Sequence, residues 1–104
     1  MSYTVRFAPE VQDQLAAIER HIAEAGSPVA AVRYVDAIIT YCEGLVTFPQ
    51  RGRKRDDLVP GLRITNYRGS AVIAFVVDTE AELVSIVGVF YGGQDYDTQL
   101  LQDR

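Results

Sequence analysis

Phe48 to Tyr67, FPQRGRKRDDLVPGLRITNY, divides the chain into a helical half and a strand-rich half. Pro49, Gly52, Pro60 and Gly61 make this stretch a connection rather than a helix. It carries Arg51, Arg53, Lys54, Arg55 and Arg63, with Arg68 just beyond, and only Asp56 and Asp57 oppose them. A basic loop running into a strand can present guanidinium groups to phosphates or carboxylates. The plainer alternative is a solvated loop whose arginines do nothing specific.

The rest of the chain is acidic. The 104 residues carry a formal net charge of −4. Residues 1–50 contribute −3, residues 51–68 contribute +4, and residues 69–104 contribute −5. An acidic whole argues against broad nucleic-acid binding, which draws on phosphate neutralisation. A local positive patch within it favours one specific acidic partner.

Toward the N-terminus, Tyr3, Val5 and Phe7 alternate with Thr4 and Arg6, the period of a half-buried strand over 2–7. Pro9 then opens a helix at a position where its missing N–H is harmless. Val11, Leu15, Ile18 and Ile22 fall on one face of that helix, and Gly26 is placed to end it as a C′ residue. Ser27-Pro28 restarts the chain as N-cap and first helical residue. So short a connection predicts an antiparallel helical hairpin. The second helix carries Val32, Val35, Ile38, Ile39, Cys42, Leu45 and Val46 on its stripe and runs to Thr47-Phe48, where Pro49 stops it.

Beyond the basic stretch come three strands. Leu62–Tyr67 alternates, with Leu62 and Ile64 on one face and Arg63, Thr65 and Tyr67 on the other. Ala71–Val77 is an almost continuous apolar run, as expected of a central strand. Leu83–Tyr91 closes the set at Gly92-Gly93. The order β-α-α-β-β-β reads as an α+β fold, a helical hairpin on one face of a small, mainly antiparallel sheet. Residues 1–104 read as one domain, with the tail from about 94 frayed. The place of the first strand in the sheet does not follow from the pattern.

Cys42 is the only cysteine, so no intrachain disulfide forms, and a reducing cytoplasm is the expected compartment. It lies on an apolar stripe, where a small buried thiol is expected rather than a nucleophile. No signal peptide is legible at the N-terminus, and no apolar run approaches the ~18–20 residues that span a bilayer. His21, the only histidine, has no partner at metal-ligand spacing, so no metal and no cofactor is expected. No phosphate-loop or serine-elbow motif occurs. A metal-free ribonuclease needs a base, an acid and cations. Arg53, Arg55, Arg63 and Arg68 supply cations and Tyr91 a hydroxyl, but the sequence shows no convincing base.

Several motifs occur together: Tyr3-Thr4-Val5-Arg6-Phe7-Ala8-Pro9-Glu10, Ser27-Pro28, Phe48-Pro49, Gly52-Arg53-Lys54-Arg55-Asp56-Asp57-Leu58, Pro60-Gly61-Leu62-Arg63 and Tyr67-Arg68. In this order and spacing, over about residues 3–96, the chain resembles the ParE branch of the RelE/ParE toxin superfamily, the toxic half of type II toxin–antitoxin modules. The resemblance implies the RelE/ParE toxin fold. It also implies inhibition of DNA gyrase by binding rather than by catalysis. The implied partner is a ParD-like ribbon-helix-helix antitoxin whose C-terminal segment wraps the toxin, forming a hetero-oligomer that contacts operator DNA through the antitoxin. The alternatives are a RelE-type ribosome-dependent mRNA endonuclease and a non-toxic antitoxin-binding module. Family members often close the last strand with an H-G-G-R-D-like motif; here it reads Tyr91-Gly92-Gly93-Gln94-Asp95. Arg53, Arg55, Arg63, Arg68, Tyr91 and Asp95 are the expected partner-binding residues, for antitoxin or gyrase.

Overall fold

The computed structural model describes residues 3–68, 70–92 and residue 100. Its elements are β1 (Thr4–Phe7), α1 (Pro9–Ala25), α2 (Pro28–Glu43), a 3₁₀ turn (Gly44–Val46), β2 (Arg53–Lys54), β3 (Leu62–Tyr67), β4 (Ala71–Asp78) and β5 (Leu83–Tyr91). The strands form one sheet in the order β1-β5-β4-β3-β2. β2 to β5 pair antiparallel in sequence. β1 lies parallel to β5, with Thr4 opposite Leu83 and Phe7 opposite Ile86. The expected helical hairpin on a mainly antiparallel sheet is therefore present, with a short extra strand, β2, inside the basic connection.

The helices follow their local signals. Pro9 and Pro28 stand at the two helix starts, and the Ser27 hydroxyl accepts from Ala30 N at 3.2 Å. Val11, Leu15 and Ile18 of α1 and Ala31, Val35, Ile38 and Cys42 of α2 are buried. The α2 stripe is narrower than its sequence suggests. Val32 and Val46 remain 45% and 37% exposed, while Ala31, a small residue on the contact line, is fully buried. The end of α2 also differs from expectation. The α-helix stops at Glu43 and tightens into the 3₁₀ turn, with Thr47 N donating to Gly44 O. Gly26 closes α1 with φ −166°, an extended rather than left-handed conformation, and donates to Ile22 O.

Both faces of the sheet carry apolar residues. Ala71, Ile73, Phe75, Val84, Ile86 and Val89 face the helical hairpin. Leu62, Ile64, Ala74 and Phe90 face the other way and cluster with Leu58 and Leu100. The tail expected to fray from about 94 lies outside the described residues except for Leu100, which is buried.

A bulge in β5 decides which side chains meet the helices at its far end. Ala74 pairs with Gly88 and Phe75 with Ile86, so Val87 is an extra residue. Strict alternation from Val84 and Ile86 would point residues 88 and 90 at the helices. The inserted residue shifts the parity, so Val89 and Tyr91 join the helix-side cluster while Phe90 joins the opposite one. Gly88 accommodates the turned ring, because a Cβ there would lie 2.7 Å from the Phe90 ring carbons.

Cys42 is fully buried on the helix side, and burial pushes its thiol up from 9.0 to about 12, with Glu43 adding to the effect. Below pH 9 the thiol is neutral in both the folded and the unfolded chain, so no stability depends on it there. Between about pH 9 and 12 the unfolded chain ionises and the folded chain does not, so stability falls by roughly 1 kcal/mol per pH unit. Native protein at pH 8 is therefore expected to leave Cys42 unreacted with a thiol-specific chromogenic disulfide over minutes. Urea titrations between pH 8 and 11 are expected to show midpoints falling above pH 9, with Cys42→Ser flattening that fall.

Candidate functional site

Five of the six expected site residues lie among the described residues, and they fall into two groups at opposite ends of β3. Asp95 lies outside the described residues. Arg53, Arg55 and Arg63 sit at the β2–β3 end, with Arg53 opposite Ile64 and Lys54 opposite Arg63. Arg68 and Tyr91 sit at the other end, where Tyr67, Ala71 and Tyr91 share one row of the sheet. Four residue steps of strand separate Arg63 from Tyr67, about 13 Å.

At the β2–β3 end, the geometry gives the arginines specific tasks. Arg55 binds Asp57 with two bonds of 2.9 Å, and this pairing holds the Asp57 carboxyl below its usual range. The Asp56 carboxylate accepts from Gly61 N at 2.8 Å and closes the same turn. Arg63 donates from Nε to Arg51 O at 2.9 Å and from Nη2 to Gln50 O at 2.7 Å. Two guanidinium donors of Arg63 therefore pin the backbone of the connection. From the sequence Arg63 is expected to contact a partner; backbone carbonyls twelve and thirteen residues away carry no sequence signal.

At the other end, aromatic rings form a continuous row on the helix side of the sheet. His21 meets Tyr91 at 5.8 Å between centroids, and Tyr91 meets Tyr34 at 5.6 Å. Tyr34 meets Tyr67 at 6.3 Å and Tyr67 meets Tyr41 at 5.1 Å. The Arg68 guanidinium lies over the Tyr67 ring at 5.3 Å, and Arg68 itself has φ 49°, in the left-handed region. The Tyr41 hydroxyl bonds the Thr65 hydroxyl at 3.2 Å. The row brings together His21 and Tyr91, which the linear sequence separates by seventy residues, and α2 supplies its middle ring.

Beside His21 and Tyr91 a cleft of about 340 Å³ opens between α1 and the end of β5, lined by Gln14, Ala17, Ile18, His21, Val89 and Tyr91, among others. The Gln14 side chain accepts from Val89 N at 2.8 Å, which satisfies strand backbone that β1 is too short to reach. The cleft combines an apolar floor with an imidazole, an amide and a phenol. Among the described residues, no group of three potential metal-ligating side chains occurs, and no helix is long and apolar enough to cross a membrane.

The Tyr34 hydroxyl is buried and has no hydrogen-bond partner among the described residues. Burial raises its pKa, the Tyr91 and Tyr67 phenols raise it further, and Arg68 partly opposes them. An unsatisfied buried hydroxyl carries its desolvation cost uncompensated. Tyr34→Phe keeps the ring in the row and removes the hydroxyl, so it is expected to stabilise the fold by about 1 kcal/mol and raise Tm by roughly 4–8 °C in a thermal melt.

A model of the ParE toxin of type II toxin–antitoxin systems, parDE, matches residues 5–96. The chain belongs to this family. Its ParE-family fold is also seen in solved structures. A chain of the chromosomal ParDE system from P. aeruginosa superimposes with a TM-score of 0.71 at 22% identity, over 86% of this chain and 95% of that one. The RelBE2 toxin–antitoxin complex from Mycobacterium tuberculosis gives 0.65 at 21% identity, over 90% and 95%. An arginine-substituted E. coli toxin RelE in its free state gives 0.67 at 15% identity, over 100% and 98%. At these identities the likeness is one of fold. No curated protein matches the sequence. This ParE-family chain also has apolar surface on its helical hairpin, where Val29 is 61% and Val32 45% exposed.

Proposed function

We propose that this ParE-family toxin acts by binding DNA gyrase, trapping the cleaved gyrase–DNA state, and that a ParD-like ribbon-helix-helix antitoxin neutralises it in a hetero-oligomer. The cytoplasm is the proposed compartment, consistent with the lone reduced thiol of Cys42. Beyond family membership, the observation that carries the binding reading is the separation of the polar residues. Arg55 and Arg63 are engaged in holding the β2–β3 connection, and Arg68 and Tyr91 lie at the far end of the sheet. Such an arrangement suits an extended contact surface better than a single scissile phosphate. Arg53, Arg68, Tyr91 and Asp95 remain proposed partner-contact residues, with Arg55 and Arg63 contributing by shaping the loop.

The test is a plasmid supercoiling and cleavage assay with purified gyrase and this protein, with and without antitoxin. Inhibited supercoiling with accumulating linear DNA, reversed by antitoxin, is the expected result. No effect at stoichiometric excess of folded protein would remove the gyrase reading.

One observation favours a second reading, a RelE-type ribosome-dependent mRNA endonuclease. His21 lies against Tyr91, with Arg68 over Tyr67 further along the same aromatic row. In that reading His21 is the base that the sequence lacked. It predicts mRNA cleavage at the ribosomal A site that is lost in His21→Ala and Tyr91→Phe. Absence of both activities would leave the third reading, a non-toxic antitoxin-binding module.

A further inference from the structure

Arg51 is exposed, yet it is held in place from three sides. Its guanidinium lies 5.4 Å from the centroid of Tyr41 and 5.4 Å from that of Phe48. Its Nη1 reaches the Tyr41 hydroxyl at 3.5 Å, and that hydroxyl is tied in turn to Thr65. Its own carbonyl, and that of Gln50, are gripped by Arg63. An exposed arginine ordinarily loses side-chain entropy when it binds an anion. Here stacking and the pinned backbone have restricted it beforehand, while the fork still has donors to offer a planar anion.

Next to it, Thr47, Phe48, Pro49, Gln50 and Arg51 line an open depression of about 500 Å³. Phe48 is 60% exposed, an unusual position for a large aromatic with no role in the core. The depression has room for one large apolar side chain. Arg53 and Lys54 follow on the exposed edge strand, while the acids of the loop are occupied, Asp57 with Arg55 and Asp56 with Gly61 N.

We infer that the Phe48–Arg51 shelf is a docking site for an acidic protein segment that places an apolar side chain on Phe48 and a carboxylate on Arg51. Under the proposed function, on which this inference rests, that segment belongs to the antitoxin. Charge decides the class of partner. The patch is +3 over 51–63, but the protein as a whole is −4. A nucleic acid would bring its phosphates against the acidic remainder, whereas a short segment with a few carboxylates meets only the patch. The apolar depression beside Arg51 adds an anchor for a hydrophobic side chain.

The experiment measures the affinity of purified antitoxin for the wild-type protein and for Phe48→Ala, Arg51→Ala and Arg51→Lys by titration calorimetry at low and high salt. Circular dichroism verifies that each variant is folded. Phe48→Ala and Arg51→Ala are expected to weaken binding about 10–100-fold, and Arg51→Ala to flatten the salt dependence. Arg51→Lys keeps the charge but loses the fork, and should fall between Arg51→Ala and wild type. Wild-type affinity in both alanine variants would overturn the inference while leaving the antitoxin reading intact. No binding of antitoxin to the wild-type protein would remove the reading and the inference together. Antitoxin affinity unchanged would overturn the inference: in favour of a nucleic-acid contact if binding to a single-stranded oligonucleotide is lost, or of a gyrase contact if gyrase–DNA cleavage is lost.

Discussion

Gly52→Ala is expected to destabilise the protein by about 3 kcal/mol, lowering Tm by more than 10 °C. Gly52 has φ +75°, a left-handed conformation that alanine adopts only with strain. Space is the larger obstacle. A Cβ at this position would lie 2.2 Å from Ile64 O and 2.9 Å from Ile64 C. These are backbone atoms of β3, so no side-chain rotation relieves the clash. Either β2 lifts off β3 or the connection before it moves, and Arg63 then loses its grip on Gln50 and Arg51. Gly44→Ala is the control. That position is right-handed at φ −69°, and nothing lies within 4 Å of the built Cβ. The same substitution there is expected to stabilise by about 0.4–1 kcal/mol through the unfolded chain. Chemical denaturation of the two variants side by side checks both signs. A Gly52→Ala midpoint equal to wild type would show that β2 is not held against β3 as described.

Phe75→Ala is expected to cost about 3–5 kcal/mol. Phe75 is the largest fully buried side chain among the described residues, in the middle of β4, on the face that receives the helical hairpin. Truncation removes the ring's contacts and leaves a cavity between the helical hairpin and β4, whose backbone is fixed by β3 and β5 on either side. Domains of this size are stable by only about 5–15 kcal/mol, so this one substitution removes a large share. Equilibrium urea unfolding measures it, and a milder Phe75→Leu should retain more than half of the lost stability because most of the volume stays filled. A loss below 1 kcal/mol for Phe75→Ala would mean that the hairpin does not pack on β4 as described.

Arg55 and Arg63 change how loss-of-function variants should be read. Removing either one disturbs the connection before it removes a partner contact. Assays on Arg63→Ala therefore need Arg51→Ala beside them, since the first perturbs the shelf from behind and the second removes its guanidinium.

What was legible in the sequence was whatever depends on neighbours in the chain. Pro9 and Ser27-Pro28 mark the helix starts through backbone chemistry that acts within one turn. The apolar spacing of Val11, Leu15 and Ile18 marks a buried face because 3.6 residues make a turn. Val35, Ile38 and Cys42 follow the same rule, and the alternation of Leu62 and Ile64 with Arg63 and Thr65 set the two faces of β3. The basic character of 51–68 was equally plain, as was the family its motifs belong to. What only the tertiary structure decided depends on residues far apart in the chain. β1 lies parallel to β5 because the helical hairpin returns the chain across the sheet, a matter of three-dimensional path. Val32 is exposed and Ala31 buried because the hairpin's line of closest approach selects between adjacent positions. Tyr91 meets His21 and Tyr34 because the one extra residue at Val87 reverses side-chain parity, and a bulge is defined only by the partner strand. Arg63 grips Gln50 and Arg51 rather than an acid because folding the connection back over β3 brings their carbonyls within its reach. Local sequence therefore determined the elements and the charge, while long-range packing decided which side chains share a surface.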